Sequence, residues 1–329
     1  MGPAEIEAHA RRVEALGYDG LCVPDAVHDG LLLAQAALRA SQRMKVATSV
    51  LVCFPRSPMQ VAIAAWDLQA VSGGRFELGL GTQVKGNIER RYGASWTAPV
   101  PRMREYLQSL RAIWHSFQTG APLRFEGEHY QLTRLQPFFN PGPIEWPEIP
   151  IHLGAIGPRL TELAGELADG WMTHPSNTSA RFLRELGRPS LEAGARRSGR
   201  DLADFTLLAG GFIATGRDAA AVTQQREWAR GHLGFLYSTP AYWRSLELFG
   251  WGEVGKRLHA LSREGKWAEM TAAIDDAMLD AFVPSGDYRA IADAVRNEYG
   301  GLAQRVNFPV PEDPVDDALA AEAIAALRG

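Results

Sequence analysis

Apolar and polar positions along the chain switch repeatedly between a helical period and a strand-like one. Ile6, Ala10, Val13 and Leu16 fall on one helical face, and Gly17 follows as a stop. "GLCVP" (20–24) reads as a short buried strand and "LLLAQAALRAS" (31–41) as a helix. "KVATSVLVC" (45–53), rich in valine and threonine, predicts a strand. "MQVAIAAWDLQAV" (59–71) is a nearly all-apolar helix, and "RFELGLG" (75–81) is a strand in which Phe76, Leu78 and Leu80 alternate with Glu77, Gly79 and Gly81. "MREYLQSLRAIWHSF" (103–117) is helical, "IPIHLGA" (149–155) a strand and "GPRLTELAGELA" (157–168) a helix. "DGWMTHP" (169–175) is a strand, followed by helical "ARFLRELGRPSLEAGARRSG" (180–199). "FTLLAGGFIAT" (205–215) is a strand, with a long helical region from about Asp218. "DYRAIADAVRNEYGG" and "QRVNFPV" close the chain as helix and strand.

Repeated βα units imply parallel strands with helices outside them. The units continue at even spacing without a linker, so an α/β fold of the (β/α)8 TIM-barrel class fits better than a doubly wound sheet. Such a barrel should begin with a strand, whereas this chain begins in the helix that follows one. The expectation is a barrel without its first strand: either the start is truncated or misread, or the barrel is incomplete. The expected organisation is a single TIM-barrel domain over residues 1–329 with two insertions, at about 119–148 and 240–270. The first insertion is rich in proline, and its "LRFEGEHYQL" reads as a hairpin around Glu126–Gly127. The second carries Tyr242, Trp243, Phe249, Trp251 and Trp267, either as a lid or as packing for inserted helices.

Composition narrows the functional classes. Hydrophobic residues make up 46% and charged residues 22% of the chain, as in a globular protein in water. A net charge of −4 gives no global attraction to nucleic acid or to an anionic membrane. No apolar run approaches the roughly 18 residues that span a bilayer. The amphipathic start carries no secretory signal, so a cytoplasmic location is expected. Cys22 and Cys53 sit in apolar runs and read as buried small hydrophobes. The eight histidines show no metal-ligand spacing, and no metal is expected. H-E-x-x-H, G-x-S-x-G and P-loop signatures are absent.

What remains clusters at strand ends, where barrels build their sites. Asp25 and His28 follow the strand 20–24. Ser49 and Val50 lie in the next strand. Gly81, Thr82 and Gln83 end the strand 75–81, where two glycines give up packing and rigidity for a reason that needs explaining. Gly154, Ala155, Gly157 and Arg159 follow the strand 149–155. With Pro158 as the first helical residue, the N–H groups there and the charge of Arg159 would face an anion.

Together these stretches resemble the bacterial luciferase-like family of flavin and deazaflavin oxidoreductases. The likeness rests on "EALGYDGLCVPD", "TSVLVCFPRSPMQVAIAAWDLQAVSGGRFELGLGTQ", "FEGEHYQL", "PEIPIHLGAIGPRLTELAGELADGWMTHP" and the late "RVNF". "QVKGNIERRYG" and "NPGPIE" look most like the branch that uses coenzyme F420, a 5-deazaflavin. The resemblance implies a TIM barrel holding the cofactor ring at its mouth, with a non-prolyl cis peptide at Ser49–Val50 beneath it. It implies that Gly79 and Gly81 let backbone or ring approach, and that Thr82 and Gln83 reach the ring edge or the phosphate tail. It implies catalytic roles for His28 and Asp25, although the branch often has Asp-His adjacent and here His28 stands two residues further on. Sugar-phosphate dehydrogenases of the family carry a glutamate where this chain has Val84 and Lys85, so glucose-6-phosphate is not the expected substrate. Lys85, Arg90 and Arg91 either hold the cofactor's acidic tail or form a solvated face. The expected function is F420-dependent hydride transfer to or from a small organic substrate. The alternatives are an FMN-dependent monooxygenase and a non-catalytic flavin- or deazaflavin-binding protein. A homodimer or higher homo-oligomer is the expected assembly.

Overall fold

A computed structural model describes residues 2–328. The chain divides into two compact units: Met1–Gly154 with Glu162–Trp171 and Leu191–Phe205, and Ala155–Thr161 with Met172–Ser190 and Thr206–Gly329.

The first unit holds strands β1 (Gly20–Val23), β2 (Lys45–Thr48), β3 (Leu51–Val52), β4 (Phe76–Gly81), β5 (Phe125–Glu126), β6 (Gln131–Leu132) and β7 (Ile151–Gly154), and the start of β8 (Gly170–Met172). Strands β1, β2, β4, β7 and β8 follow one another in a sheet whose paired strands run parallel. Helices Gly30–Ala40, Pro58–Ser72 and Pro99–Thr119 lie between them in sequence, as a TIM-barrel-like α/β fold requires. Among the described residues the helix Ile6–Ala15 precedes β1.

Local chemistry explains these boundaries. Ser57 and Gln60 form a capping box at the start of Pro58–Ser72, and Gly73 ends that helix at a φ of 63°. Strand β4 departs from its alternating pattern, because all six of its residues are buried. Helices cover the faces of such parallel sheets, so Glu77 enters the interior with the apolar residues. It is satisfied there by Lys45 Nζ at 3.1 Å and His152 Nε2 at 2.9 Å. The expected hairpin forms as antiparallel β5 and β6, with Phe125 opposite Leu132. Glu105, on the helix Pro99–Thr119, holds its turn by accepting the N–H groups of Glu128, His129 and Tyr130.

The second unit holds the end of β8, then β9 (Thr206–Ala209), β10 (Ala214–Gly216), β11 (Ser285–Asp287) and β12 (Arg305–Val306). Strand β9 pairs in parallel with β12, and β10 in parallel with β11. The stretch 205–215, read as one strand, is therefore two, separated at Gly210 and Gly211. A Cβ on Gly210 would meet Thr173 O at 2.2 Å, so the backbone must pass close by there. Asp218 caps the helix Ala219–Tyr237 as its position suggests. In the second insertion, Tyr242, Trp243, Phe249 and Trp251 pack on a buried cluster that includes Leu246, Leu258, Leu279 and Phe282. These aromatics build this unit's own core, while Trp267 stays exposed. Among the described residues no helix is long and apolar enough to cross a membrane.

Candidate active site

In the first unit the candidates gather where β1, β3, β4 and β7 end. Strand β2 pairs with β4 as far as Ala47 opposite Glu77, and β3 resumes with Leu51 opposite Leu80. Four steps on one side (47 to 51) answer three on the other (77 to 80), so the stretch contains a β-bulge. Thr48 bridges the gap: its hydroxyl donates to Gly79 O at 2.8 Å and accepts the Gly79 N–H at 3.0 Å. Ser49–Val50, inside the bulge, is a cis peptide. Ser49 N–H donates to Val23 O at 2.8 Å, tying the bulge to β1.

The two glycines facing Val50 have a direct cause. A Cβ on Gly81 would stand 2.4 Å from Val50 Cγ2, and one on Gly154 would stand 2.9 Å from Val50 Cγ1. Either contact is closer than real carbon atoms come, so the valine requires both glycines. Packing against Val50, which is itself half-buried, therefore accounts for Gly81 within the chain. Beyond Gly81, Thr82 Oγ1 donates to Gln83 O at 3.1 Å. Gln83 has a φ of 59°, uncommon for a residue with a side chain. Its Oε1 accepts from Val84 N–H at 2.9 Å and Asn87 Nδ2 at 3.2 Å, fastening the helix Lys85–Arg90. Cys53 is buried against Gly81 O, and burial pushes its thiol up to about 12, which removes it as a nucleophile. Cys22, by contrast, is only half-buried.

Asp25 is buried, and both its oxygens are engaged. Oδ1 accepts from Gly30 N–H at 3.1 Å and Oδ2 from Val52 N–H at 2.9 Å. Arg56 donates to it at 2.8 Å and also to Asp29 at 2.9 Å. Burial works against the charge of Asp29, yet Arg56 and the N–H groups of Leu32 and Leu31 hold its carboxyl below the usual range. Asp25 thus positions β3, and with it the bulge. His28 stands apart from this cluster, exposed on the loop and beside Gly2. Lys85, Arg90 and Arg91 are exposed, while Ile88 between them is buried: Lys85 pairs with Glu89 at 3.8 Å, and Arg91 donates to Ala26 O.

In the second unit Pro158 is the first helical residue, as expected. Gly157 O accepts from Thr161 N–H at 3.0 Å, and Arg159 is exposed. Ala155 O accepts from Asn177 Nδ2 at 2.8 Å. Asn177 Oδ1 in turn accepts the N–H of His174 at 2.7 Å. Just past β8, the ring of His174 lies 4.9 Å from that of Tyr242, and its Nδ1 sits 2.9 Å from Ser176 Oγ. Burial pulls this imidazole down to about 4. The sequence reading passed over His174 and Arg56. The first was legible as a histidine at a strand exit, like His28. The second carried no signal, because its carboxylate partners lie 27 and 31 positions away.

The sequence profile of the luciferase-like monooxygenases matches residues 1–305. The chain belongs to that family. An uncharacterised protein from Mycobacterium tuberculosis is 42% identical over 294 residues, covering 89% of this chain and 86% of the relative. A 5,10-methylenetetrahydromethanopterin reductase from Archaeoglobus fulgidus is 28% identical over 296 residues, covering 86% and 82%. The fold of this luciferase-like chain also matches a solved structure, the coenzyme F420-dependent tetrahydromethanopterin reductase of Methanopyrus kandleri. The TM-score is 0.80 at 19% identity, covering 98% of this chain and 94% of the other.

Proposed function

We propose that this luciferase-like protein is an oxidoreductase that uses coenzyme F420 to move a hydride to or from a small organic substrate. The observation that carries the reading is the seat of Val50 over Gly81 and Gly154 at the strand ends. It offers a half-buried apolar surface on a bulge held from three sides, which suits a flat ring of the isoalloxazine type. Relatives and structural neighbours named for F420 or methanopterin chemistry support the same reading. When bound, the deazaflavin supplies the hydride chemistry.

This chain's residues have separate duties. Val50 supports the ring, while Gly81 and Gly154 let Val50 sit deep. Thr48 and Ser49 fix the bulge to β4 and β1. Asp25 and Arg56 hold the start of β3 and keep Val50 in place. Thr82 and Gln83 border the seat and offer hydrogen-bonding groups. His28, open to water, exchanges a proton with the substrate at its imidazole nitrogen.

A double-mutant cycle tests the seat. Gly81→Ala should displace Val50, cost about 1–3 kcal/mol in urea unfolding and weaken deazaflavin binding measured by fluorescence quenching. Adding Val50→Ala should restore stability while leaving binding weak. Full recovery of binding in the double variant would show that Val50 does not support the ring.

A further inference from the structure

One side of the helix Ala219–Tyr237, in the second unit, is aromatic and open to water. At the 3.6-residue period Ala221, Gln224, Gln225, Trp228, His232 and Phe235 share that side, and none of them is an acid, a lysine or an arginine. The helix's charged side chains lie off it and are paired there: Arg226 with Asp280 at 2.8 Å, and Arg230 with Glu227 at 3.0 Å and Asp276 at 2.5 Å. The rings stand in two groups. Trp228 lies 3.8 Å from His232 and 5.3 Å from Phe212 between ring centroids, and His232 Nδ1 donates to Trp228 O at 2.8 Å. Phe235 lies 6.3 Å from Trp267, which opens the helix Trp267–Ala272.

Trp228, Phe235 and Trp267 are 49%, 64% and 56% exposed. At about 150–250 Å² for each such side chain, they leave roughly 250–420 Å² of apolar surface in water. A patch of that size matches the largest on a typical monomer, which is often functional. Two such faces bring together roughly 500–840 Å² of ring surface, the scale of a small reversible interface, which stays below about 1,200 Å² in total. The face also matches itself. Trp228 and Phe235 stand about 10.5 Å apart along the helix axis, with His232 between them. A two-fold axis crossing the helix between Gly231 and His232 lays each indole on the phenyl ring of a second copy. A charged partner would find no counter-charge here, whereas an identical face opposes neutral to neutral and apolar to apolar.

We propose that this face is a homotypic docking surface. A second copy of the chain packs its helix Ala219–Tyr237 antiparallel against the first, with Trp228 on Phe235 in both directions. The contact lies wholly within the second unit and is independent of the cofactor.

The test is sedimentation equilibrium of the full-length protein over roughly 1–100 μM, which resolves each association step. One step should weaken about thirtyfold or more in Trp228→Glu and in Phe235→Lys, the loss expected of central aromatic anchors. Combined in one chain, the two substitutions set a carboxylate opposite an ammonium at both contacts, and should recover about tenfold of that loss. A parallel pairing would oppose like charges and recover nothing. Both side chains are exposed, so the urea midpoints of the variants should stay close to the parent's, which separates lost docking from lost folding. A protein that stays monomeric, or whose every association step survives both single variants, would overturn the proposal. So would binding to phosphatidylcholine vesicles in place of self-association, abolished by the same variants. Failure of the double variant to recover would overturn the antiparallel pairing.

Discussion

At the scale of single residues, buried polar groups are engaged in fixing backbone. Asp25 accepts four hydrogen-bonding contacts from Gly30, Val52 and Arg56, and is thereby committed to holding the start of the helix Gly30–Ala40 and the strand β3. Asp25→Asn replaces one acceptor oxygen by a donor facing Arg56 or the Val52 N–H. It should destabilise the protein by about 1–3 kcal/mol in urea unfolding at neutral pH. An unchanged midpoint would mean that the Arg56 network is dispensable. His174 gives a second prediction. Its folded-state value of about 4 lies below the ordinary 6.5, because burial disfavours the charged ring. Below 6.5 the unfolded chain takes up a proton that the folded chain refuses. The neutral ring's contribution is thus fully present above 6.5 and is lost as pH falls toward about 4. The stability difference between the parent protein and His174→Phe should therefore move in favour of the parent as pH rises through that window, and level off above it. A flat difference would mean that the ring titrates normally in the folded state.

At the scale of elements, a carboxylate organises the hairpin that breaks the βα rhythm. Glu105 accepts three successive N–H groups at the turn, and a Cβ on Gly127 would strike its Oε2. Burial alone would raise its pKa, but the N–H groups of His129, Glu128 and Tyr130 hold it below the ordinary 4.5. Its contribution is present above 4.5 and fades as pH falls below that. Glu105→Ala should cost about 1–3 kcal/mol and speed amide exchange at residues 128–130 while leaving β4 protected. Equal protection at the turn would show that the hairpin needs no anchor. Such an anchor was not legible in the sequence, since it joins positions 23 to 25 apart. The elements themselves were, because period and capping are local: the helix starts at Pro158 and after Asp218 fall where Gly-Pro and an N-cap aspartate put them. The break of 205–215 into β9 and β10 was hidden because its glycines answer to Thr173 O, Tyr299 and Thr178, none of which neighbours them in sequence.

At the scale of the molecule, membership of the luciferase-like family and the TIM-barrel-like fold follow from features spread over most of the chain. The site was legible in part. Ser49, Val50 and Gly81 stood out through the resemblance, and Val50 and Gly81 do meet in the structure. That Val50 is what fills the glycine gap depends on packing between strands, which no local pattern carries. The account's central claim is that this packing serves a deazaflavin ring. Its most direct test is a side-by-side titration of the full-length protein with coenzyme F420 and with FMN, read by quenching of each cofactor's own fluorescence. The account predicts saturable F420 binding in the micromolar range or tighter, with FMN at least about tenfold weaker, a gap of about 1.4 kcal/mol. FMN binding as tight as F420 or tighter would contradict it and favour a flavin monooxygenase.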